Sequence, residues 1–275
     1  VIPEHSSYSQ ISEVLQCGEK YRLKRVLEAP DGVATYLIGG SVVHAVTHMI
    51  DVGWPDGDVT GDDIIELCRK DFHSEVQKAL AKEPDQSKWK TAGRGGVEDL
   101  TWWSEQVPVM VKRWVDWRRE SDLVIPTMRD GMLASELEMV IQYGGKPFKL
   151  AIDRVMQGRF TDERSIVDLK TGSREPTSPY QLAFYRDAMQ MVHGVKCRWG
   201  YYWMARTGKL SKPFDLDRIP YQMTSDMAVK ANAIIKQQLF IPNPGMFCGS
   251  CDVRDYCQAM GGDPSTLGSV YSADH

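Results

Sequence analysis

Three segments, Ala151-Ile152-Asp153-Arg154-Val155, Asp168-Leu169-Lys170-Thr171-Gly172 and Gln181-Leu182-Ala183-Phe184-Tyr185, decide how this chain is read. Asp153 and Asp168 stand a strand-turn-strand distance apart, and Lys170 follows the second acid by two residues. Side chains two apart on a strand share a face, so Asp168 and Lys170 can reach one point. Phosphodiester hydrolysis needs a hydroxide at neutral pH, an oxygen-liganded cation, and a geometry that holds both at phosphorus. Asp153 and Asp168 are hard ligands suited to magnesium or manganese. The Lys170 ammonium can orient the attacking water and offset developing negative charge. A bare D-x-K triplet is common. An Asp ending one strand with D-x-K ending the next is the more specific signal.

Around this stretch the hydrophobic period is that of strands. Leu133 to Tyr143 and Pro147 to Gln157 alternate, joined by Gly144-Gly145, a two-residue hairpin signal. The first strand carries Glu136 and Glu138 on one face, and Ser165 to Leu169 forms a third strand. Ser178-Pro179 predicts a helix start, with Ser178 as N-cap, and Gln181 and Tyr185 then lie one turn apart on one face. Gln181 can also serve only to complete a capping box. Lys196 to Met204 reads as a further strand and Ser225 to Leu239 as a helix.

Upstream, Tyr8 to Leu27 has near-helical apolar spacing with Ser7 or Ser9 as N-cap and Cys17 inside it. Lys20, Arg22, Lys24 and Arg25 form a basic run, either a solvated helix face or a DNA contact. Gly39-Gly40-Ser41 opens an apolar helix, Val42 to Ile50, on which His44 and His48 share a face; Ala45 replaces the glutamate of a zinc-protease H-E-x-x-H. As isolated histidines both read as core residues. Asp51, Asp56, Asp58, Asp62 and Asp63 read as a turn and helix start. Lys88 to Gly96 reads as a loop. Trp102, Trp103, Trp114 and Trp117, interleaved with Lys112, Arg113, Arg118 and Arg119, read either as core or as a stacking surface for single strands.

The 275 residues, 42% of them hydrophobic, can bury a full core. A net charge of -4 and a pI near 5.9 argue against coating nucleic acid by bulk charge, which leaves a local groove. No apolar run approaches membrane-spanning length, and the N-terminal Val1-Ile2-Pro3-Glu4-His5 carries no basic-then-apolar signal, so a cytoplasmic protein is expected. Cys248, Cys251 and Cys257 crowd near the C-terminus, which suits a metal or cluster site in a reducing compartment. A tetrahedral site needs a fourth ligand, and Cys17, Cys68 and Cys197 are available. Spacing distinguishes neither among them nor between zinc and iron-sulfur. The Gly/Ser-rich tail reads as disordered.

Six segments in order, S-Y-S-Q-I-S-E-V-L-Q-C-G-E-K-Y at 7–21, G-G-S-V-V-H at 39–44, A-I-D-R at 151–154, D-L-K-T-G at 168–172, Q-L-A-F-Y at 181–185 and C-G-S-C-D-V-R-D-Y-C at 248–257, resemble the RecB-like branch of the PD-(D/E)XK nucleases. Within that branch they resemble the iron-sulfur group with AddB-type nucleases, CRISPR-associated exonucleases and phage homologues. The resemblance implies an α/β restriction-endonuclease-like core: a central mixed sheet flanked by helices, one nuclease domain over 1–275 with a helical insertion at 51–130. It assigns metal ligation to His44, Asp153, Asp168 and the Leu169 carbonyl, and catalysis to Asp153, Asp168, Lys170, Gln181 and Tyr185. Glu136 corresponds to a family acidic position, with Glu138 as the alternative. A 4Fe-4S cluster on Cys17, Cys248, Cys251 and Cys257 would close the 242–260 segment on the N-terminal helix, leaving Cys68 and Cys197 structural. Ala151 stands where the family commonly has Gly. The implied activity is magnesium- or manganese-dependent exonuclease action on single-stranded DNA or DNA ends, in recombination and repair. The rival readings are a non-catalytic DNA-binding scaffold that keeps the cluster, or a nuclease processing CRISPR integration intermediates.

Overall fold

The computed structural model describes residues 3–54 and 58–270; the side chains of 268–270 are not described. Val1 and Ile2, Asp56 of the acidic turn and residues 271–275 of the tail, for which expectations were stated above, lie outside the described residues. In chain order the principal elements are α1 (Tyr8–Gln16), α2 (Gly18–Tyr21), α3 (Thr35–Gly53), α4 (Gly61–Lys82), α5 (Leu100–Glu120), β1 (Leu123–Val124), β2 (Ser135–Tyr143), β3 (Lys146–Gly158), β4 (Arg164–Lys170), α6 (Tyr180–Ala188), β5 (Cys197–Met204), β6 (Lys209–Leu210), β7 (Phe214–Asp215) and α7 (Tyr221–Lys236). They fall into two compact units. The larger takes residues 32–139 and 151–219, the smaller 1–31, 140–150 and 220–275, so the division runs through both strands of the β2–β3 hairpin.

In the larger unit β4 is the pivot of a mixed sheet. It runs antiparallel to β3, with Arg154 opposite Val167, and parallel to β5, with Asp168 opposite Tyr202. The run Ser165 to Leu169 is buried throughout, as a strand covered on both faces must be. A parallel neighbour requires a crossover, and α6 supplies it between β4 and β5. The hairpin forms as its glycines demand: Gly144 and Gly145 both have positive φ, 57° and 79°, the geometry of a type I′ turn. The mixed sheet and flanking helices agree with the expected fold class.

The larger unit's core joins α3 and α5 to the sheet through Val42, Val46, Val107, Val111, Trp114, Val167, Leu169 and Trp203. Trp103 and Trp114 are fully buried, and Trp114 meets Trp203 edge to face at 5.0 Å. Trp103 and Trp114 are therefore core, as their helical spacing allowed, and Trp102 and Trp117 are half-buried against it. Helix α3 starts at Thr35, earlier than the glycines suggested, and Gly39 and Gly40 lie inside it. The reason is packing: a Cβ on Gly39 would lie 1.9 Å from the Trp103 ring of α5. The acidic turn is also corrected. Asp51 belongs to the last turns of α3 and is buried, whereas Asp62 and Asp63 occupy the first turn of α4, where Asp63 completes a capping box with Thr60.

In the smaller unit the expected helix Tyr8–Leu27 is broken. Ser7 caps α1, Cys17 interrupts it in extended conformation, α2 follows, and Arg22–Val26 form a π turn. A Cβ on Gly18 would sit 2.7 Å from the Ile241 nitrogen, and Tyr21 stacks on Phe240 at 6.0 Å, so the segment after α7 runs tightly along the break. The basic run is not a free face: Lys20 and Lys24 pair with Asp252, Arg22 with Glu19 and Arg25 with Glu13.

Gly39→Ala should lower stability by about 1–3 kcal/mol, because overlap with the Trp103 ring outweighs the gain in helix propensity. Gly53→Ala, which meets no neighbour within 4 Å, should cost nothing. Urea midpoints of the two variants against the parent make the comparison.

Candidate active site

Asp153 and Asp168 flank the last ladder pair of β3 and β4, Arg154 opposite Val167, where the two strands part. Both are buried, at 8% and 1% exposure. The Leu169 amide donates to Asp153 Oδ2 at 2.6 Å, which fixes that carboxylate across the strand gap. Helix α3 brings His44 to the same place: its Nδ1 lies 3.4 Å from Asp153 Oδ1 and 3.8 Å from Glu136 Oε1. Ligand atoms of His44, Glu136 and Asp153 all lie within 4.8 Å of one another, a spacing that one metal ion can bridge.

The ambiguity between the two glutamates is resolved by position. Glu136 reaches the cluster while Glu138 is exposed. Glu136 also has φ of +50°, a backbone region that ordinary residues enter only where the surroundings hold them there. The holder is Arg154. Its guanidinium is completely buried and donates to Glu136 Oε1 at 3.1 Å, to the Asp153 carbonyl at 2.6 Å, to Thr47 Oγ1 at 3.1 Å and to Asp51 Oδ2 at 2.7 Å. Asp51 in turn accepts from the Trp114 indole at 3.1 Å and from Arg118 at 3.3 Å. The sequence pattern carries no signal for Arg154, and Asp51, which reads there as part of an acidic turn, is instead a partner of this guanidinium. The available signal was an acid near a helix C-terminus, which the helix dipole disfavours unless it has partners.

On the other side of Asp168, Lys170 Nζ stands 2.7 Å from Asp168 Oδ2, as their shared strand face required. Lys170 donates to Gln181 Oε1 at 3.1 Å, and Gln181 Nε2 donates to the Tyr185 hydroxyl at 2.8 Å. Gln181 and Tyr185, one turn apart on α6, thus extend a chain of polar contacts from Lys170. Helix α6 begins at Tyr180 with Pro179 at the cap position, one residue later than expected, and Ser178 Oγ still accepts from the Tyr180 amide. His48 stays outside the cluster, with Nδ1 2.7 Å from Ser135 Oγ. Burial and Arg154 hold its pKa below the ordinary value.

The charges of the cluster call for a cation. Burial works to depress the His44 pKa, yet Asp153 and Glu136 raise it to about 10, so in the metal-free protein a proton on the imidazole serves as counter-charge. Burial and then the Asp153 carboxylate push Asp168 up to about 7, with Lys170 opposing them. Two carboxylates, an imidazole and the adjacent Asp168, short of positive charge, are a donor set that fits a hard divalent ion.

The four C-terminal and N-terminal cysteines belong to the smaller unit. Cys17, Cys248, Cys251 and Cys257 are free and half-buried. Backbone amides face the sulfurs: Asn243 N donates to Cys17 Sγ at 3.4 Å and Gly245 N to Cys248 Sγ at 3.3 Å. Burial raises the Cys257 pKa, and the amides of Ala259 and Met260 oppose it. Cys68 and Cys197 are fully buried with thiols pushed up to about 12 by burial, which makes them inert.

A family model of the PD-(D/E)XK nuclease superfamily matches residues 5–258, and the chain belongs to that superfamily. Membership implies a metal-dependent nuclease acting on DNA. Among individual relatives, the chain is similar to the Gene 69 protein of Mycobacterium phage D29, 27% identical over 263 residues that cover 91% of this chain and 95% of that protein. It is also similar to the Gene 69 protein of Mycobacterium phage L5, 23% identical over 277 residues with the same two coverages. Among the described residues no helix is long and apolar enough to cross a membrane.

Two outcomes follow. Arg154→Met should destabilise by about 3–5 kcal/mol, because it leaves Asp51 buried without its principal partner; denaturant unfolding checks this. Asp168 binds its proton more tightly folded than unfolded, so the stability it contributes is present at acid pH and lost as pH rises through about 7. In chelator, the stability of Asp168→Asn relative to the parent should therefore rise between pH 5 and pH 8. A difference independent of pH would contradict the assignment.

Proposed function

We propose that this chain is a magnesium- or manganese-dependent exonuclease of the RecB-like, iron-sulfur branch of its superfamily, acting on single-stranded DNA or DNA ends. The observation that carries the nuclease reading is the convergence of His44, Glu136 and Asp153 at metal spacing beside Asp168 and Lys170. His44, Asp153 and Asp168, with the Leu169 carbonyl, would hold the ion, and Glu136 stands beside them. When bound, the ion supplies a water of lowered pKa and spreads the charge of the phosphate. Lys170 holds the attacking water in line and offsets negative charge on the phosphate oxygens. Gln181, whose carbonyl accepts from Lys170, fixes the direction of that ammonium, and Tyr185 fixes Gln181.

The cluster reading assigns 4Fe-4S to Cys17, Cys248, Cys251 and Cys257, closing the 242–260 segment on the break after α1. It is supported by the amides aimed at the sulfurs of Cys17, Cys248 and Cys257, since such N–H groups stabilise ligating thiolates. The cluster is structural: it ties residue 17 to residue 257 and so restricts the unfolded chain. The end preference rests on the family resemblance.

Anaerobic purification should give a brown protein with broad absorbance near about 400 nm; a colourless protein with stoichiometric zinc removes the cluster assignment. With magnesium, labelled single strands with free ends should be degraded and closed circles left intact, and Lys170→Ala and Asp168→Ala should each lose about 10²-fold or more in kcat. Cutting of closed circles replaces the exonuclease with an endonuclease. Binding without cleavage by the parent establishes the scaffold reading, and an Asp168→Ala protein as active as the parent removes the site.

A further inference from the structure

Beside the metal cluster the larger unit holds a cavity of about 790 Å³, most of whose wall the nuclease reading does not use. His44 and Glu136 form part of its wall, so it opens directly onto the place where the scissile phosphate would be held. Its volume lies in the range of pockets that enclose one small molecule, roughly 300–1,000 Å³. Tyr36 and Leu37, in the first turn of α3, line it and remain 38% and 59% exposed, so an aromatic and an aliphatic side chain stand ready for a flat apolar occupant. Gly172 lines it as well, and a Cβ there would meet nothing within 4 Å, so an occupant can approach bare backbone.

The charged residues of the wall argue for what the occupant is not. Arg206 is neutralised by a bidentate pair with Glu98, at 2.9 and 2.7 Å, and its Nε donates to the Thr171 carbonyl at 2.8 Å. Its guanidinium also lies 4.8 Å from the Trp102 ring. This arginine is a brace that holds the Thr171–Gly172 turn in place, not a receptor for a phosphate. An anion is thus drawn to the metal cluster, and the cavity is left for a neutral, flat group attached to it at short range. We propose that the cavity is a nucleobase subsite: it takes one unpaired base of the DNA strand, stacked on Tyr36, next to the phosphate at His44, Glu136 and Asp153. A base held in a duplex stack cannot lie against Tyr36 within this cleft without leaving the stack, so the subsite confers preference for single strands and frayed ends. It rests on the nuclease reading for the placement of the phosphate.

The test is abasic scanning. A short single-stranded oligonucleotide is bound, in magnesium, to the cleavage-deficient Lys170→Ala protein, and each base in turn is deleted to an abasic residue. One position should weaken binding about tenfold, the scale of one lost base–aromatic stack. Tyr36→Ala and Ser41→Trp, each added to Lys170→Ala, should flatten that profile, the first by removing the stacking face and the second by filling the cavity from an exposed position of its wall. Circular dichroism confirms that both fold. A flat profile before these changes overturns the subsite, as does a peak that neither change reduces. A flat profile alongside magnesium-dependent cleavage by the parent removes the subsite alone. A position-dependent profile in a parent that never cleaves removes the nuclease reading and leaves the subsite standing.

Discussion

The Arg154 guanidinium is the constraint on which the larger unit depends. A cation removed from water must be met on every side. Here a carboxylate of α3, a hydroxyl of α3, a carboxylate of β2 and a carbonyl of its own strand meet it. Satisfying this one side chain sets how α3 lies on the sheet, holds Glu136 in an uncommon backbone conformation, and leaves the Asp153 side chain, on the next residue, free to turn toward His44. The buried ion pair thus contributes specificity of arrangement: alternative placements of α3 strand a charge.

The candidate cluster is assembled from both faces of that arrangement. Strands β3 and β4 diverge at Asp153 and Asp168, and the gap is spanned by one backbone amide, that of Leu169. On one side lie His44 and Glu136, on the other the polar chain Lys170, Gln181 and Tyr185. The two sides have opposite electrostatic character. The first is short of positive charge, which a metal would provide, and the second carries its own ammonium. A phosphate bridging them would be met by cations from both directions.

What could be read from sequence was what depends on neighbours along the chain. The β2–β3 hairpin follows from period-two alternation and a Gly-Gly pair. The pairing of Asp168 with Lys170, and of Gln181 with Tyr185, follows from strand and helix spacing. What could not be read depends on distant partners. Gly39 looked like a helix opener because its reason, the Trp103 ring, is on another helix. Asp51 looked like part of an acidic turn because Arg154 is 103 residues away. Glu136 and Glu138 were equivalent until Arg154 chose between them, since alternation puts both on one face. Cys17 breaks a helix whose hydrophobic spacing continues across it, because the backbone after α7 passes too close for a regular continuation.

The order in which the site's members occur along the chain has a consequence for biogenesis. His44 comes from α3, Glu136 and Asp153 from the hairpin, Asp168 and Lys170 from β4, and Tyr202, which lies against Lys170, from a parallel strand that pairs only after the α6 crossover. Such long-range pairings form late, because chain entropy is lost before their contacts repay it. No early folding fragment therefore contains a complete site, and a chain still emerging from the ribosome has the acids without the frame that aligns them. The frame around Asp168 and Lys170 therefore closes only when β5 pairs with β4.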